Sequence, residues 1–349
     1  MTIRVVVVDD SALVRGVLSE IINRTGDMQV VGTACDPYEA RERIRELDPD
    51  VVTLDVEMPR MDGLAFLERL MRLRPTPVVM VSTLTERGAQ TTLRALELGA
   101  VDFVAKPTAD VRGGLQELAR EIACKLRIAA QARVGRHLAA LPAQAAPRTK
   151  PAPGSARSDT LIAIGASTGG TEAIRELLQG LPPTLPGIVI TQHMPPGFTA
   201  SFAARLDGLC ALHVREARDG EPVLQGHVYI APGGRHVTVE RAASGGYVVR
   251  IDDGEPVNRH KPSVDVMFRS VARWAGPRAI GIMLTGMGAD GAAAMREMRE
   301  RGAYNFVQDQ ASCVVYGMPR EAVAAGAADE VVPLHALAQR LLGRLSLRY

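Results

Sequence analysis

Ser167 follows the apolar run Leu161-Ile162-Ala163-Ile164 inside Gly165-Ala166-Ser167-Thr168-Gly169-Gly170 and precedes a helix-like stretch from Thr171 to Leu178. Small neighbours let a chain turn tightly from strand to helix, and they leave the hydroxyl beside the helix's first unpaired N–H groups. His193 ends a second apolar run, Ile188-Val189-Ile190-Thr191-Gln192, at a loop fixed by Met194-Pro195-Pro196-Gly197. Asp290 follows a third run, Ala279 to Leu284, through Thr285-Gly286-Met287-Gly288-Ala289. A serine hydroxyl is a weak nucleophile until a neutral imidazole takes its proton, and the imidazole needs an acceptor on its other nitrogen to fix the tautomer. The chemistry expected is therefore acyl transfer, with Ser167 as nucleophile, His193 as general base and then acid, and Asp290 as the orienting carboxylate. Backbone N–H groups at Thr168, with the glycine-rich turn at Met287, are expected to hold the oxyanion.

Plainer readings stand beside these. The Ser167 turn could cradle a phosphate or only turn the chain, and Asp290 could only cap the helix-like run that begins at Ala292. His213, His227, His236, His260 and His335 are alternative bases; His193 is preferred because it ends a strand-like run close to the nucleophile's strand. No H-x-x-x-H or H-x-E pattern near it suggests a metal site.

A second set of reactive groups lies earlier. Asp9 and Asp10, Asp55, Ser82 and Lys106 each stand at the end of an apolar run. Carboxylates brought together repel one another and call for a cation, and oxygen-only ligands favour Mg²⁺. A carboxylate held next to that ion can take a phosphoryl group, with Lys106 and Ser82 placed to bind its oxygens. Taken singly, Asp10-Ser11 would read as a helix cap and Asp55 as a surface acid.

Both sets need parallel sheets to position them, since functional groups gather at the carboxyl ends of strands in such sheets. Runs at Val5 to Val8, Val30 to Thr33, Val51 to Leu54, Val78 to Val81 and Val101 to Ala105 alternate with helix-period segments near 12–23, 38–47, 63–73 and 88–98, and a last helix is expected over 113–128. This alternation builds right-handed βαβ units. In the second half, Val237 to Val239 and Tyr247 to Val249 suggest a hairpin through Ser244-Gly245-Gly246. Arg259 to Asp265 would line the cleft or cap a helix, and 334–347 has helical spacing. Between them, residues 129–158 are rich in Ala and Pro, and no acid occurs between Glu121 and Asp159. That composition cannot build a core and is read as a tether. The expected organisation is a domain at 1–128, a linker at 129–158 and a second domain at 159–349.

The whole chain has 349 residues, 46% of them hydrophobic, which is enough for two cores, and its formal charge of +2 points neither to nucleic acid nor to an anionic membrane. No apolar run approaches the ~18 residues that span a bilayer. Four cysteines stand far apart without a C-x-x-C pair, and the chain is expected in the reducing cytoplasm.

Residues 3–125 resemble a response-regulator receiver domain through Val7-Val8-Asp9-Asp10-Ser11, Leu54-Asp55-Val56-Glu57-Met58-Pro59-Arg60-Met61-Asp62-Gly63 and Lys106-Pro107. The second half resembles the catalytic domain of chemotaxis protein-glutamate methylesterases, and the receiver-linker-catalytic order resembles the CheB family. The carrying motifs are Ile164 to Gly170, Gln192-His193-Met194-Pro195, Val228 to Gly234, Pro262-Ser263-Val264-Asp265, Leu284 to Ala292 and Ala311 to Pro319. The resemblance implies an α/β protein of two doubly wound parallel sheets, flavodoxin-like in the receiver and Rossmann-like in the methylesterase domain. It implies Asp55 as phosphoacceptor and Asp10, Asp55 and the Glu57 carbonyl as Mg²⁺ ligands, with Asp9 acting through water. It further implies Ser82 and Lys106 as sensors of the phosphoryl group, Phe103 as the aromatic switch position, and a cis Lys106-Pro107 peptide. The triad carries over to Ser167, His193 and Asp290.

The implied function is a phosphorylation-activated hydrolase that releases methanol from glutamate γ-methyl esters on the cytoplasmic helices of chemoreceptors and deamidates specific glutamines. A histidine kinase would be the phosphodonor, the receiver would obstruct the cleft until phosphorylated, and a monomer without direct membrane insertion is expected. The chain ends at Ser346-Leu347-Arg348-Tyr349 without the aromatic, acid-containing docking tail of some members, a departure that leaves the mode of receptor docking open. The alternative is a phosphorylation-controlled phosphate- or nucleotide-binding module without covalent catalysis, disfavoured by the lack of a Gly-Lys-Ser/Thr signature.

Overall fold

A computed structural model describes residues 2–56, 58, 63–83, 85–106, 115–132, 134 and 159–346. The chain divides into two compact units, Met1–Ala143 and Gln144–Tyr349. Most of the expected tether, residues 135–158, lies outside the described residues.

The first unit runs β1 (Ile3–Val8), α1 (Ala12–Asn23), β2 (Met28–Ala34), α2 (Pro37–Leu47), β3 (Val51–Asp55), α3 (Gly63–Leu73), β4 (Val78–Ser82), α4 (Glu86–Glu97), β5 (Asp102–Ala105) and α5 (Leu115–Ala129). The strands pair in parallel in the order β2-β1-β3-β4-β5, the flavodoxin-like doubly wound order. Every residue of β3 and β4 is buried, as expected where helices cover both faces of a sheet. Local signals set the helix starts. Ser11 caps α1 and Asp36 caps α2. Thr85 accepts from the Gly88 N–H at 3.0 Å, so α4 begins two residues before the expected 88.

The second unit runs β6 (Leu161–Ala166), α6 (Gly170–Gln179), β7 (Ile188–Gln192), α7 (Phe198–Leu209), β8 (His213–Glu216), β9 (His227–Ile230), β10 (His236–Arg241), β11 (Tyr247–Asp252), α8 (Val264–Trp274), β12 (Ala279–Met283), α9 (Ala292–Glu300), β13 (Tyr304–Gln308), α10 (Met318–Ala324), β14 (Glu330–Val332) and α11 (Leu334–Ser346). Seven strands form one parallel sheet, β14-β13-β12-β6-β7-β9-β8, while β10 and β11 make a separate antiparallel hairpin. Its turn uses Gly245 and Gly246 with φ of 84° and 70°, a conformation other residues adopt at a cost. From β6 the chain winds outward through β7 and β9, then crosses back to lay β12 on β6's other side. The sheet therefore changes winding direction beside β6, and open α/β sheets bind ligands in the crevice at such a switch point. Val237, Val239, Tyr247 and Val249 of the hairpin pack with Met267, Phe268 and Val271 of α8 in one buried core. None of the four cysteines is in a disulfide, and no described helix is long and apolar enough to cross a membrane.

Candidate active site and phosphoacceptor site

Ser167, His193 and Asp290 follow β6, β7 and β12, which are three adjacent strands with β6 in the middle. Ala166 and Gln192 are register partners, and the His193 N–H donates to the Ala166 carbonyl at 3.1 Å. Ser167 and His193 are each one residue past that pair, on strands about 4.8 Å apart. Gln192 ties the two loops together, its Nε2 donating to the Ser167 carbonyl at 3.0 Å and the His193 carbonyl at 3.2 Å. On the other side the Ser167 N–H donates to the Thr285 carbonyl at 3.1 Å. A Cβ on Gly286 would stand 2.8 Å from the Ser167 Cβ, so only glycine lets the Thr285–Asp290 loop lie this close.

The His193 Nε2–H donates to Asp290 Oδ2 at 2.8 Å. This fixes the tautomer, because a carboxylate only accepts. The remaining nitrogen, Nδ1, is buried and has no hydrogen-bond partner among the described residues. The expected Ser167–His193 hydrogen bond is thus not formed; an acceptor nitrogen waits one strand away from the hydroxyl. Such bonds commonly tighten only when substrate is bound. The carboxylate here takes Nε2, where in the familiar arrangement it takes Nδ1.

Asp290 does not cap the helix that follows it. The N-cap of α9 is Gly291, with no side-chain bond. The carboxylate lies instead at the N-terminus of α8, where Oδ2 accepts from the Val264 N–H at 2.6 Å, and Oδ1 from Ser263 Oγ at 2.8 Å, Asn258 Nδ2 at 2.8 Å and the Asp265 N–H at 3.3 Å. In return Asp265, from the first turn of α8, accepts from the Ala294 N–H of α9 at 3.0 Å. The two helices exchange caps, each worth ~1 kcal/mol. Burial alone would push the Asp290 carboxyl upward. The hydrogen bond and charge of His193, with the bonds from Asn258 and Ser263, outweigh it and hold the carboxyl well below the usual carboxylate range. The carboxylate thus stabilises the fold above its unfolded pKa of ~3.9, and this contribution is lost only as pH falls through the lower folded value.

Gly165 in β6 packs under Val264 and Phe268, and a Cβ there would clash with the Val264 side chain. Gly165→Ala is expected to destabilise the second unit by about 1–3 kcal/mol and to lower kcat by displacing Val264 from Asp290. Thermal melts and methanol release check the two effects.

Among the residues given an oxyanion role, Thr168 is buried and opens the turn into α6, with Gly169 as N-cap at φ 75°. The Ser167 N–H itself is committed to the Thr285 carbonyl. Met287 is half-buried in the turn before Asp290. Sequence reasoning missed Gln192, Asn258, Ser263 and Asp265 as supports of the pair, although the 259–265 arm was expected to line the cleft or cap a helix; its Asp265 does cap a helix, α9. His260, read as an alternative base, stacks on the His193 ring with centroids 3.7 Å apart and planes 10° apart.

In the first unit the Asp9, Asp10 and Asp55 carboxylates offer oxygens within 4.8 Å of one another. Lys106 Nζ lies 2.7 Å from Asp55 Oδ2 and 3.1 Å from Asp9 Oδ2. Burial disfavours the Lys106 cation, and the two carboxylates outweigh that and raise its pKa. Asp9 Oδ2 is fully buried without a directed hydrogen bond. Three clustered carboxylates whose negative charge a single lysine does not balance fit a hard divalent cation such as Mg²⁺. Ser82 sits at the end of β4, but its hydroxyl makes 3.3 Å bonds to the Thr83 and Gly88 carbonyls rather than to Asp55. Phe103 is buried, with Lys125 Nζ 5.0 Å from its ring centroid. Glu57 and Pro107, and with them the expected carbonyl ligand and the Lys106-Pro107 peptide, lie outside the described residues.

Two family models match the chain: the response regulator receiver domain over residues 5–114 and the CheB methylesterase over residues 162–341. A protein-glutamate methylesterase/protein-glutamine glutaminase 1 from Albidiferax ferrireducens is 63% identical over 353 residues, covering 99% of this chain and 94% of the relative. A protein-glutamate methylesterase/protein-glutamine glutaminase from Pectobacterium atrosepticum is 59% identical, covering 99% of this chain and 97% of the relative. The crystal structure of the Thermotoga maritima CheB methylesterase catalytic domain is 37% identical with a TM-score of 0.52, covering 53% of this chain and 98% of that one.

Proposed function

The chain belongs to the CheB methylesterase family, with a response-regulator receiver domain ahead of the esterase, and from that premise we propose how its own residues carry out the reaction. The protein is a protein-glutamate methylesterase and glutaminase under receiver control. Ser167 Oγ attacks the γ-carbonyl carbon of a glutamate methyl ester while His193 Nδ1 takes the hydroxyl proton. Asp290 keeps Nε2 protonated and stabilises the imidazolium so formed. The tetrahedral oxyanion is held by the Thr168 N–H and the turn at Met287. Collapse breaks the C–OCH₃ bond, His193 Nδ1–H protonates the leaving oxygen, and methanol departs. Water, deprotonated by the same nitrogen, then hydrolyses the acyl-serine to glutamate. On a glutamine the same sequence expels ammonia.

The observation that carries this reading is the His193–Asp290 pair, whose unpartnered Nδ1 lies on the strand next to Ser167. A serine-directed fluorophosphonate tests it: wild type should be labelled and Ser167→Ala should not. Equal labelling of the variant would overturn it.

In the receiver, Asp55 is the proposed phosphoacceptor, with Asp10, Asp55 and the Glu57 carbonyl holding Mg²⁺ and Asp9 supporting it. When bound, the ion neutralises charge on the phosphoryl oxygens during transfer. Lys106, already on Asp55, would shift to the phosphoryl group, and Ser82 would exchange its long carbonyl bonds for a phosphoryl oxygen. Asp55→Ala should retain basal esterase activity and lose all activation by acetyl phosphate with Mg²⁺. Activation that survives the substitution would remove Asp55 from this role. The proposed setting is the cytoplasm, with a histidine kinase as phosphodonor and the cytoplasmic helices of methyl-accepting chemoreceptors as substrate. Residues 1–128 form the receiver, 129–158 the tether and 159–349 the esterase.

A further inference from the structure

The segment Val257-Asn258-Arg259-His260 closes on itself. The Val257 N–H donates to the His260 carbonyl at 3.1 Å and the His260 N–H to the Val257 carbonyl at 2.9 Å. Its two central residues, Asn258 and Arg259, have φ of 53° and 68°. That is a two-residue hairpin turn of the primed type, which normally carries glycine. Asn tolerates the left-handed region, but Arg does not favour it, and strain of this sort persists where surrounding contacts over-determine it, most often at functional sites. Arg259 itself is exposed. What the turn delivers is on either side of it.

Asn258 Nδ2 bridges two carboxylates, Asp290 Oδ1 at 2.8 Å and Asp265 Oδ2 at 2.5 Å. His260 lays its ring flat on His193. The segment is anchored from outside as well: His236 Nε2 bonds the Glu255 carbonyl at 3.0 Å, Lys261 Nζ donates to the Asp253 carbonyl at 3.1 Å, and the Gly234 N–H donates to the Lys261 carbonyl at 3.1 Å. Among the described residues His193 has one hydrogen-bonded ring atom, Nε2. A ring held at one atom can still swing about that bond, which would carry Nδ1 away from Ser167. A parallel wall at stacking distance removes this freedom.

We infer that the Val257–His260 turn is a positioning element of the esterase site: Asn258 fixes the Asp290 carboxylate, and the face of His260 fixes the plane of His193 so that Nδ1 meets the Ser167 hydroxyl. The inference rests on Ser167, His193 and Asp290 being the triad. Misplacing a reacting group by about 1 Å costs on the order of 10²-fold in rate. His260→Ala should therefore lower kcat for methanol release by about 10–10²-fold with KM nearly unchanged. His260→Phe, which keeps a flat aromatic face, should recover most of that loss. Asn258→Ala should act in the same direction as His260→Ala. The measurements use the full chain with methylated receptor and phosphodonor, and thermal melts confirm that each variant is folded. The rate constant for fluorophosphonate labelling of Ser167 is read in parallel. A His260→Ala protein with wild-type kcat and labelling rate would overturn the inference and leave the triad standing. A folded His260→Phe protein as slow as His260→Ala, or a loss confined to KM, would overturn it too. Failure of the probe to label Ser167 in wild type would instead strike at the triad.

Discussion

Ser167→Ala is expected to lower kcat for methyl-ester hydrolysis by roughly 10⁶-fold, the scale on which serine triads depend on their nucleophile. What survives is the contribution of the oxyanion donors and of binding, about 10³–10⁴ over the reaction in water. The substitution is clean because Ser167 Oγ makes no hydrogen bond among the described residues. Its backbone bonds to Thr285 and Gly170 do not involve the side chain. The thermal midpoint should therefore be unchanged while methanol release from a methylated receptor vanishes. A variant that kept a few per cent of wild-type turnover would rule out covalent catalysis at this residue.

Asp290→Asn should cost about 10⁴-fold in kcat, the loss seen when an orienting carboxylate is made neutral. The structure gives two reasons, one for each way the amide can sit. With its oxygen toward His193 the tautomer is kept, but the imidazolium loses its counter-charge and the amide NH₂ meets the Asn258 NH₂ and the Asp265 N–H. With its NH₂ toward His193, Nε2 must become the acceptor. The proton then sits on Nδ1, which can no longer accept from Ser167. Either way, buried donors at the start of α8 go unpaired at about 1–3 kcal/mol each, so the melting temperature should fall as well. Asp290→Asn with near-wild-type kcat would show that the carboxylate only holds α8 in place.

Much of this was legible in the residues. Glycine-rich turns after apolar runs marked where Ser167 and Asp290 leave the sheet, and the Pro/Gly loop after Gln192 marked His193. The five alternating units of the receiver and the acids at their strand ends were equally plain, because period and strand-end chemistry are local signals. Strand neighbours were not: β12 lies beside β6 only through long-range pairing, which no local pattern encodes. The identity of the nitrogen that bonds Asp290 depends on how the ring is held, and residue types do not specify that. The turn that carries Asn258 and His260 was hidden because it uses Asn and Arg where the usual signal is glycine. The placing of Asp290 as a cap on its own helix failed for a related reason. Gly291 occupies the cap, and the carboxylate serves the neighbouring helix, a partner brought in by tertiary packing.

The central place of β6, with β7 on one side and β12 on the other, has a consequence for synthesis. Domains fold largely as units, N-terminal first, while the ribosome is still at work. The phosphoacceptor unit emerges whole before the nucleophile's strand does. The hydroxyl and the imidazole then emerge close together, but the carboxylate is 97 positions beyond His193. A nascent or prematurely ended polypeptide can therefore display the serine without being able to activate it. On the proposed triad, esterase competence begins only after Asp290 has emerged and β12 has paired with β6.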